Sequence, residues 1–259
     1  MNSSRSTSSL SKESTMSNKR GNNDRYWADA LGTDIVRIEV DHEKVVFNIH
    51  RKILCDKIPF FDKMFNGQFA ESVTQSAKLP EDNVDAFKGL IGWVYNGVIE
   101  PSMGPQLVST GQWKLPIIEL LILAEKYDIT QLVDESMDFL AKSLYENYVV
   151  PSTSAWVHAY KYTRPSSKLR LFLSRIAAFI MSFEDGKFTV DSTSWSAAEI
   201  YSIISQNDDI LMDFETIIHE ASKLQENPMK APPCDYHRHG PSQPCPYISK
   251  RDSHSHQRE

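Results

Sequence analysis

Four residues near the C-terminal end carry the donor atoms best suited to chemistry: Cys234, His237, His239 and Cys245. Their pattern, C-x2-H-x-H-x5-C, places four soft or borderline ligands within twelve residues. Zinc takes four such ligands in a tetrahedron. In an extended segment residues two apart point to one side, so His237 and His239 can converge. Against this, the spacing matches no standard finger pattern, and Pro232, Pro233, Pro241, Pro244 and Pro246 stiffen the segment. A tail over 227–259 that stays largely disordered is the leading expectation. A zinc site that orders it is the alternative, because metal affinity becomes folding energy.

Elsewhere the residues do not assemble bond-making machinery. There is no G-x-S-x-G elbow, no G-x-x-x-x-G-K phosphate loop and no H-E-x-x-H. His50 and Cys55 are five residues apart, and five residues along a helix rotate by roughly 140°, away from a shared face. Cys55 beside Leu54 reads as a small core residue, and His50 as a strand-end residue satisfied by backbone groups. His158 and His219 stand alone on helices. The charged pairs Glu125-Lys126, Asp134-Glu135 and Asp208-Asp209 read as solvated helix faces or caps. No enzyme is expected, and no cofactor is required.

Composition sets the outer bounds. A chain of 259 residues holds one large domain or two small ones, and 41% hydrophobic with 10% aromatic residues suffices for a packed core. A net charge of −6 argues against a nucleic-acid partner, since phosphate binding needs clustered Lys and Arg. Three cysteines make no disulfide framework, which favours a reducing compartment. The N-terminus lacks an apolar core behind a basic start. The longest apolar run, Leu115 to Ala124, is broken by Pro116 and Glu119 and falls short of the about 20 residues that span a bilayer. A soluble protein of the cytoplasm and/or nucleus follows, with no membrane partner.

The elements that would position these residues are read in chain order. Residues 1–25 are rich in Ser, Asn and Lys and are expected to be disordered. Tyr26 to Leu31 suits a turn or two of helix. Val36, Ile38 and Val40, then Val45, Phe47 and Ile49, alternate with polar residues around Asp41-His42-Glu43-Lys44, which predicts a hairpin. A short helix follows at Ile53-Leu54. Pro59 starts a second helix burying Phe60, Phe61, Met64 and Phe65, with Gly67 as a left-handed stop. Lys78-Leu79 is a brief strand. Asp82 or Asn83 caps a helix whose core face is Phe87, Leu90, Ile91 and Val94 and which closes at Asn96-Gly97. Residues 100–114 read as a surface loop, Leu115 to Tyr127 as a buried helix, and Thr130 as the cap of the next, with Leu132, Val133, Ser136, Met137 and Leu140 inward. The chain to about residue 226 is helical by pattern, with stripes at Leu169–Ile180 and Ile210–Leu224.

The stretch over Asp34-Ile35-Val36, Phe47-Asn48-Ile49-His50-Arg51-Lys52-Ile53-Leu54, Phe60-Phe61, Met64-Phe65, Phe69-Ala70-Glu71-Ser72, Leu79-Pro80-Glu81-Asp82, Ala86-Phe87 and Trp93-Val94-Tyr95-Asn96-Gly97 resembles a BTB (POZ) domain. The chain is most similar to the small BTB-only proteins of fungi, with Cys234-Asp235-Tyr236-His237 as a tail feature of that group. The resemblance implies an α+β fold, a small sheet with helices, over residues 26–145, followed by an all-helical extension over 146–226. It also implies protein–protein interaction: homo- or hetero-oligomerisation as a scaffold or adaptor, with a substrate adaptor of a cullin-RING ubiquitin ligase as an alternative. A further alternative is a zinc-stabilised or metal-sensing protein acting through its tail. The resemblance maps Asp34 and Arg51 onto the family's charged interaction groove. Their pairing reads first as fixing the hairpin against the first helix, with a ligand-binding role as the lesser alternative. The helix ahead of the first strand is short for the long dimeric form, so a homodimer is one expectation and a BTB-binding cullin another.

Overall fold

Alternation of apolar and polar residues dictates the first structure formed. β1 (Ile35–Val40) and β2 (Val45–His50) pair antiparallel, with Val36 opposite Ile49 and Ile38 opposite Phe47. Val36, Ile38 and Val40 are fully buried while their neighbours face outward. The turn holds Asp41 and Lys44 at positive φ, closed by the Lys44 amide donating to the Asp41 carbonyl at 3.0 Å. β3 (Ser76–Leu79) joins β1 in parallel, giving the order β2-β1-β3. The computed structural model describes residues 29–109, 113–182, 187–188, 195–220, 227–239 and 244–246. The Ser-rich segment 1–25, residues 26–28 of the expected helix at 26–31, and Ala221 and Leu224 of the last apolar stripe lie outside them; residues 29–31 of that helix are helical.

Helices cover the sheet. α1 (Arg51–Lys57) buries Ile53, Leu54 and Cys55, and α2 (Pro59–Asn66) begins on its proline and buries Phe61 and Phe65. Gly67 does not end α2 in the left-handed region; its φ is −86°. The position needs glycine for space, because a Cβ there would lie 2.1 Å from the Lys63 carbonyl oxygen. A short α3 (Ala70–Thr74) leads to β3. α4 (Val84–Asn96) is capped by Asn83, which accepts from the Ala86 amide at 2.9 Å, and stops at Gly97 with φ +70°. Phe61 lies edge-on to Phe87, and Phe87 to Phe47, joining the helices to the hairpin.

The segment 100–114, expected as loop, contains a 3-10 turn at Pro101–Met103 and a small ladder of β4 (Gln106–Leu107) with β5 (Trp113–Lys114). α5 (Pro116–Lys126) is buried nearly all round, as its composition predicts. α6 (Thr130–Asn147) is preceded by Ile129 at the cap position, so Thr130 is the first helical residue rather than the cap. Its expected inner face is buried throughout. Asp82, the other residue expected as a possible cap of α4, is instead buried, bonded to the Tyr127 hydroxyl and to Lys126 Nζ at 2.6 Å.

The extension packs onto this body. α7 (Thr153–Tyr162), α8 (Lys168–Met181), α9 (Ala197–Ile204) and α10 (Asp208–His219) are capped by Ser152, Ser167, Ser196 and Asn207. A two-residue ladder of β6 (Lys187–Phe188) with β7 (Trp195–Ser196) precedes α9. One charge sits inside the apolar α8: Arg170 is buried, donating through Nε to Thr163 Oγ1 at 3.1 Å and through Nη2 to the Tyr160 and Thr163 carbonyls. Its Nη1 reaches Asp209 at 3.0 Å. A guanidinium is the side chain with enough fixed donors to satisfy so many acceptors at once.

Candidate functional site

The C-terminal segment departs most from expectation. Far from loose, residues 227–239 lie across α6 and α8 in two 3-10 turns, Pro228–Lys230 and Pro233–Tyr236. The docking has a physical cause in Tyr236, the large aromatic ring that ends the second turn. It is buried against the edge of Phe172, under the Arg175 guanidinium, and its hydroxyl donates to the Pro228 carbonyl at 3.3 Å. Charged contacts then hold the segment from both sides. Asp235 meets Arg175 at 3.4 Å and its carbonyl accepts from Lys168 Nζ at 3.2 Å, both from α8. The Arg238 amide donates to Asp134 Oδ1 at 2.8 Å, and its guanidinium meets Asp128 at 2.9 Å.

This explains two acidic residues that read as solvated and are not. Asp134 is buried on α6 as the acceptor for the tail backbone, and burial pushes its pKa up. Glu125 is buried at the end of α5, accepts from Ser167 Oγ at 2.6 Å, and is likewise pushed up by burial. Glu135 beside Asp134 takes the Trp93 indole N–H at 2.8 Å. Asp208 and Asp209 do stand in the first turn of α10, though Asn207 supplies the cap.

Docking gathers the four candidate ligands. The ligand atoms of Cys234, His237, His239 and Cys245 all lie within 4.8 Å of one another. The turn sets Cys234 and His237 together, with the His237 amide donating to the Cys234 carbonyl at 3.4 Å. His237 is extended, at φ −85° and ψ 154°, so His239 falls on its side with ring centroids 5.3 Å apart. His237 Nδ1 is 3.6 Å from Cys245 Sγ, and its Nε2 is 3.0 Å from Asp138 Oδ1 on α6. Burial disfavours the His237 charge, but Asp138 and its neighbours outweigh that and raise its pKa. Cys245, His237 and Asp138 thus have the sequence of nucleophile, base and orienting carboxylate. A buried thiol and imidazole crowded by Cys234 and His239 suit ligation better than attack on a substrate.

The hairpin pair also forms. Arg51 Nη2 meets Asp34 Oδ2 at 2.5 Å and Nη1 reaches Gln75 Oε1 at 3.3 Å, while the Arg51 amide donates to the Asp34 carbonyl at 2.8 Å. Asp34 is 63% exposed, so this is a surface pair rather than a buried one. The other single residues find partners as well. His50 Nδ1 lies 2.8 Å from the Tyr95 hydroxyl rather than resting on backbone alone, and His158 meets Glu119 at 2.9 Å. Cys55 is sealed over the Phe61 carbonyl, its thiol pushed up to about 11 by burial. A groove of about 810 Å³ runs between α6 and the docked segment, walled by Ile99, Phe139, Tyr145, Met229 and Tyr236.

Residues 33–144, which hold the sheet and α1 to α6 up to Leu144, match the family model of the BTB/POZ domain. This chain carries a BTB/POZ domain. TD and POZ domain-containing protein 3 of Mus musculus is 28% identical over 118 residues, covering 46% of this chain and 29% of that protein. BTB and MATH domain-containing protein 42 of Caenorhabditis elegans is 29% identical over 126 residues, covering 48% of this chain and 28% of that protein. The chain therefore spans less than a third of the length of these curated relatives, and the similarity falls on the BTB part. These animal relatives lend no support to the fungal part of the resemblance. No helix among the described residues is long and apolar enough to cross a membrane.

Proposed function

We propose that this chain is a protein–protein interaction module whose BTB domain assembles copies of the chain, or joins it to a second protein, while the helical extension carries the surface that selects a client. The observation that carries the reading is the BTB domain at 33–144 bearing an exposed apolar knob. Phe69, the residue that precedes α3, and Val73 on α3 are 60% and 84% exposed. Apolar side chains this open on a short helix favour a surface that a partner covers. Asp34 and Arg51 lie at the base of the hairpin and would orient a partner electrostatically rather than supply most of its affinity. The cytoplasm and/or nucleus is the compartment this reading assigns.

The finer reading is a substrate adaptor, with the BTB domain docked on a BTB-binding cullin through the α3 knob. Titration calorimetry of the full chain with the N-terminal part of such a cullin tests it. The adaptor reading expects a complex that the Phe69→Asp, Val73→Asp double variant weakens at least tenfold, because two buried apolar contacts are replaced by desolvated charges. A wild-type chain that gives no heat and no complex overturns the cullin reading and leaves homotypic assembly.

A further inference from the structure

We propose that Cys234, His237, His239 and Cys245 hold one Zn²⁺ ion, and that this ion fastens the C-terminal segment across the seam between the BTB domain and its helical extension. The donor set is the first argument. Two thiolates and two imidazoles form a tetrahedral set that suits Zn²⁺, and four protein ligands leave no open position for substrate. The site is therefore structural rather than catalytic. Binding is balanced by release of the two thiol protons, the imidazoles entering neutral.

Distance is the second argument. Zinc bonds of about 2.3 Å to sulfur and about 2.0 Å to nitrogen place tetrahedral S and N ligands roughly 3.5 Å apart. His237 Nδ1 and Cys245 Sγ already stand at 3.6 Å, and the full set within 4.8 Å needs a contraction of only about an ångström to close. The third argument is the shell behind the ligands. The metal-facing nitrogen of His237 is Nδ1, and its other nitrogen lies 3.0 Å from the Asp138 carboxylate. That carboxylate–histidine relay fixes the ring orientation of zinc ligands and makes the imidazole a better donor. Asp138 belongs to α6, so the relay ties the ion to the BTB domain itself.

The placement explains what the ion does. Ligands and anchors alternate along the segment: Asp235, between Cys234 and His237, is held by α8, whereas Arg238, between the two histidines, is held by Asp134 and Asp128. Closing the four ligands on one ion converts these separate weak contacts into one rigid clasp over both parts of the chain.

The test uses the full chain. Its metal content is measured by inductively coupled plasma mass spectrometry after purification without added metal or chelator. Co²⁺ is then titrated into the chelated chain and followed in the visible and near-ultraviolet. The proposal expects one zinc per chain, intense tetrahedral Co²⁺ bands with thiolate-to-metal charge transfer, and displacement of those bands by one equivalent of zinc. Cys245→Ser should lower occupancy and shift the charge-transfer band. Asp138→Asn, a positioning change, should weaken metal affinity 10- to 100-fold while keeping the band shape. His219→Gln, on exposed α10, should change neither. A chelated wild-type chain that gives only the faint spectrum of octahedral Co²⁺, or a purified chain that holds iron or no metal, overturns the proposal. The Co²⁺ titration needs no variant, so misfolding of Cys245→Ser cannot shelter it.

Discussion

Replacing Arg170 with Met keeps most of the side-chain stem but removes all of its hydrogen-bond donors. In the native chain that guanidinium satisfies the Thr163 hydroxyl and the Tyr160 and Thr163 carbonyls, all at the C-terminal end of α7, and reaches Asp209 on α10. The Asp209 part is small: its carboxylate is 64% exposed, and pairs of that kind contribute about 0–1 kcal/mol. The buried acceptors matter more, since each one left unsatisfied costs about 1–3 kcal/mol. Partial relaxation and water entry keep the sum near the about 3–5 kcal/mol typical of breaking a buried charged cluster. Urea unfolding of full-length Arg170→Met, followed by circular dichroism and tryptophan fluorescence, should show a loss in that range, and Asp209→Asn a loss of about 1 kcal/mol or less. A loss below about 1 kcal/mol for Arg170→Met would refute the claim that the clamp holds α7, α8 and α10 together.

Glu125→Gln should be more stable than the native chain near neutral pH, with the gap closing as pH falls. Burial raises the native carboxyl above its unfolded value, so its favourable neutral form is fully present in acid and lost as pH rises through the folded pKa. Glutamine stays neutral throughout and still accepts from Ser167, so thermal melts at pH 8 and pH about 4 should differ in this way, and equal gaps would refute it. Asp34→Asn should cost about 1 kcal/mol or less, because the Arg51 pair is exposed; a larger drop in melting temperature would show the pair to be structural. Gly67→Ala should cost about 1–3 kcal/mol from collision with the Lys63 carbonyl, whereas Gly97→Ala, with open space around it, should cost only the about 1–2 kcal/mol of a left-handed backbone. Chemical denaturation of the two variants side by side checks the ranking.

What the sequence made legible was local. The two-residue period of Val36–Val40 and Val45–Ile49, the proline opening α2, the Asn83 cap and the Gly97 stop each depend on neighbours a few positions away, and each stands where expected. The Phe61 and Phe87 cores follow from the same patterns. Residues whose role depends on distant partners were not legible. Glu125 and Asp134 look like surface charge until Ser167, 42 residues on, and Arg238, 104 residues on, arrive to bond them. Arg170 carried only a weak signal, being one of three cations, with Lys168 and Arg175, in the otherwise apolar α8. Tyr236 carried another, a large ring in a polar, proline-rich segment, and it is this ring that turns an apparently loose tail into a docked one. The four candidate ligands of the tail are legible by residue type. Their convergence rests on a 3-10 turn and an extended step that the prolines promote rather than prevent.

The most direct test of the interaction account is the solution mass of the full chain by multi-angle light scattering at micromolar concentration, alone and mixed with the N-terminal part of a BTB-binding cullin. The account predicts a mass near twice 29.6 kDa for the chain alone, or a stable complex in the mixture. A mass of 29.6 kDa under both conditions would contradict it.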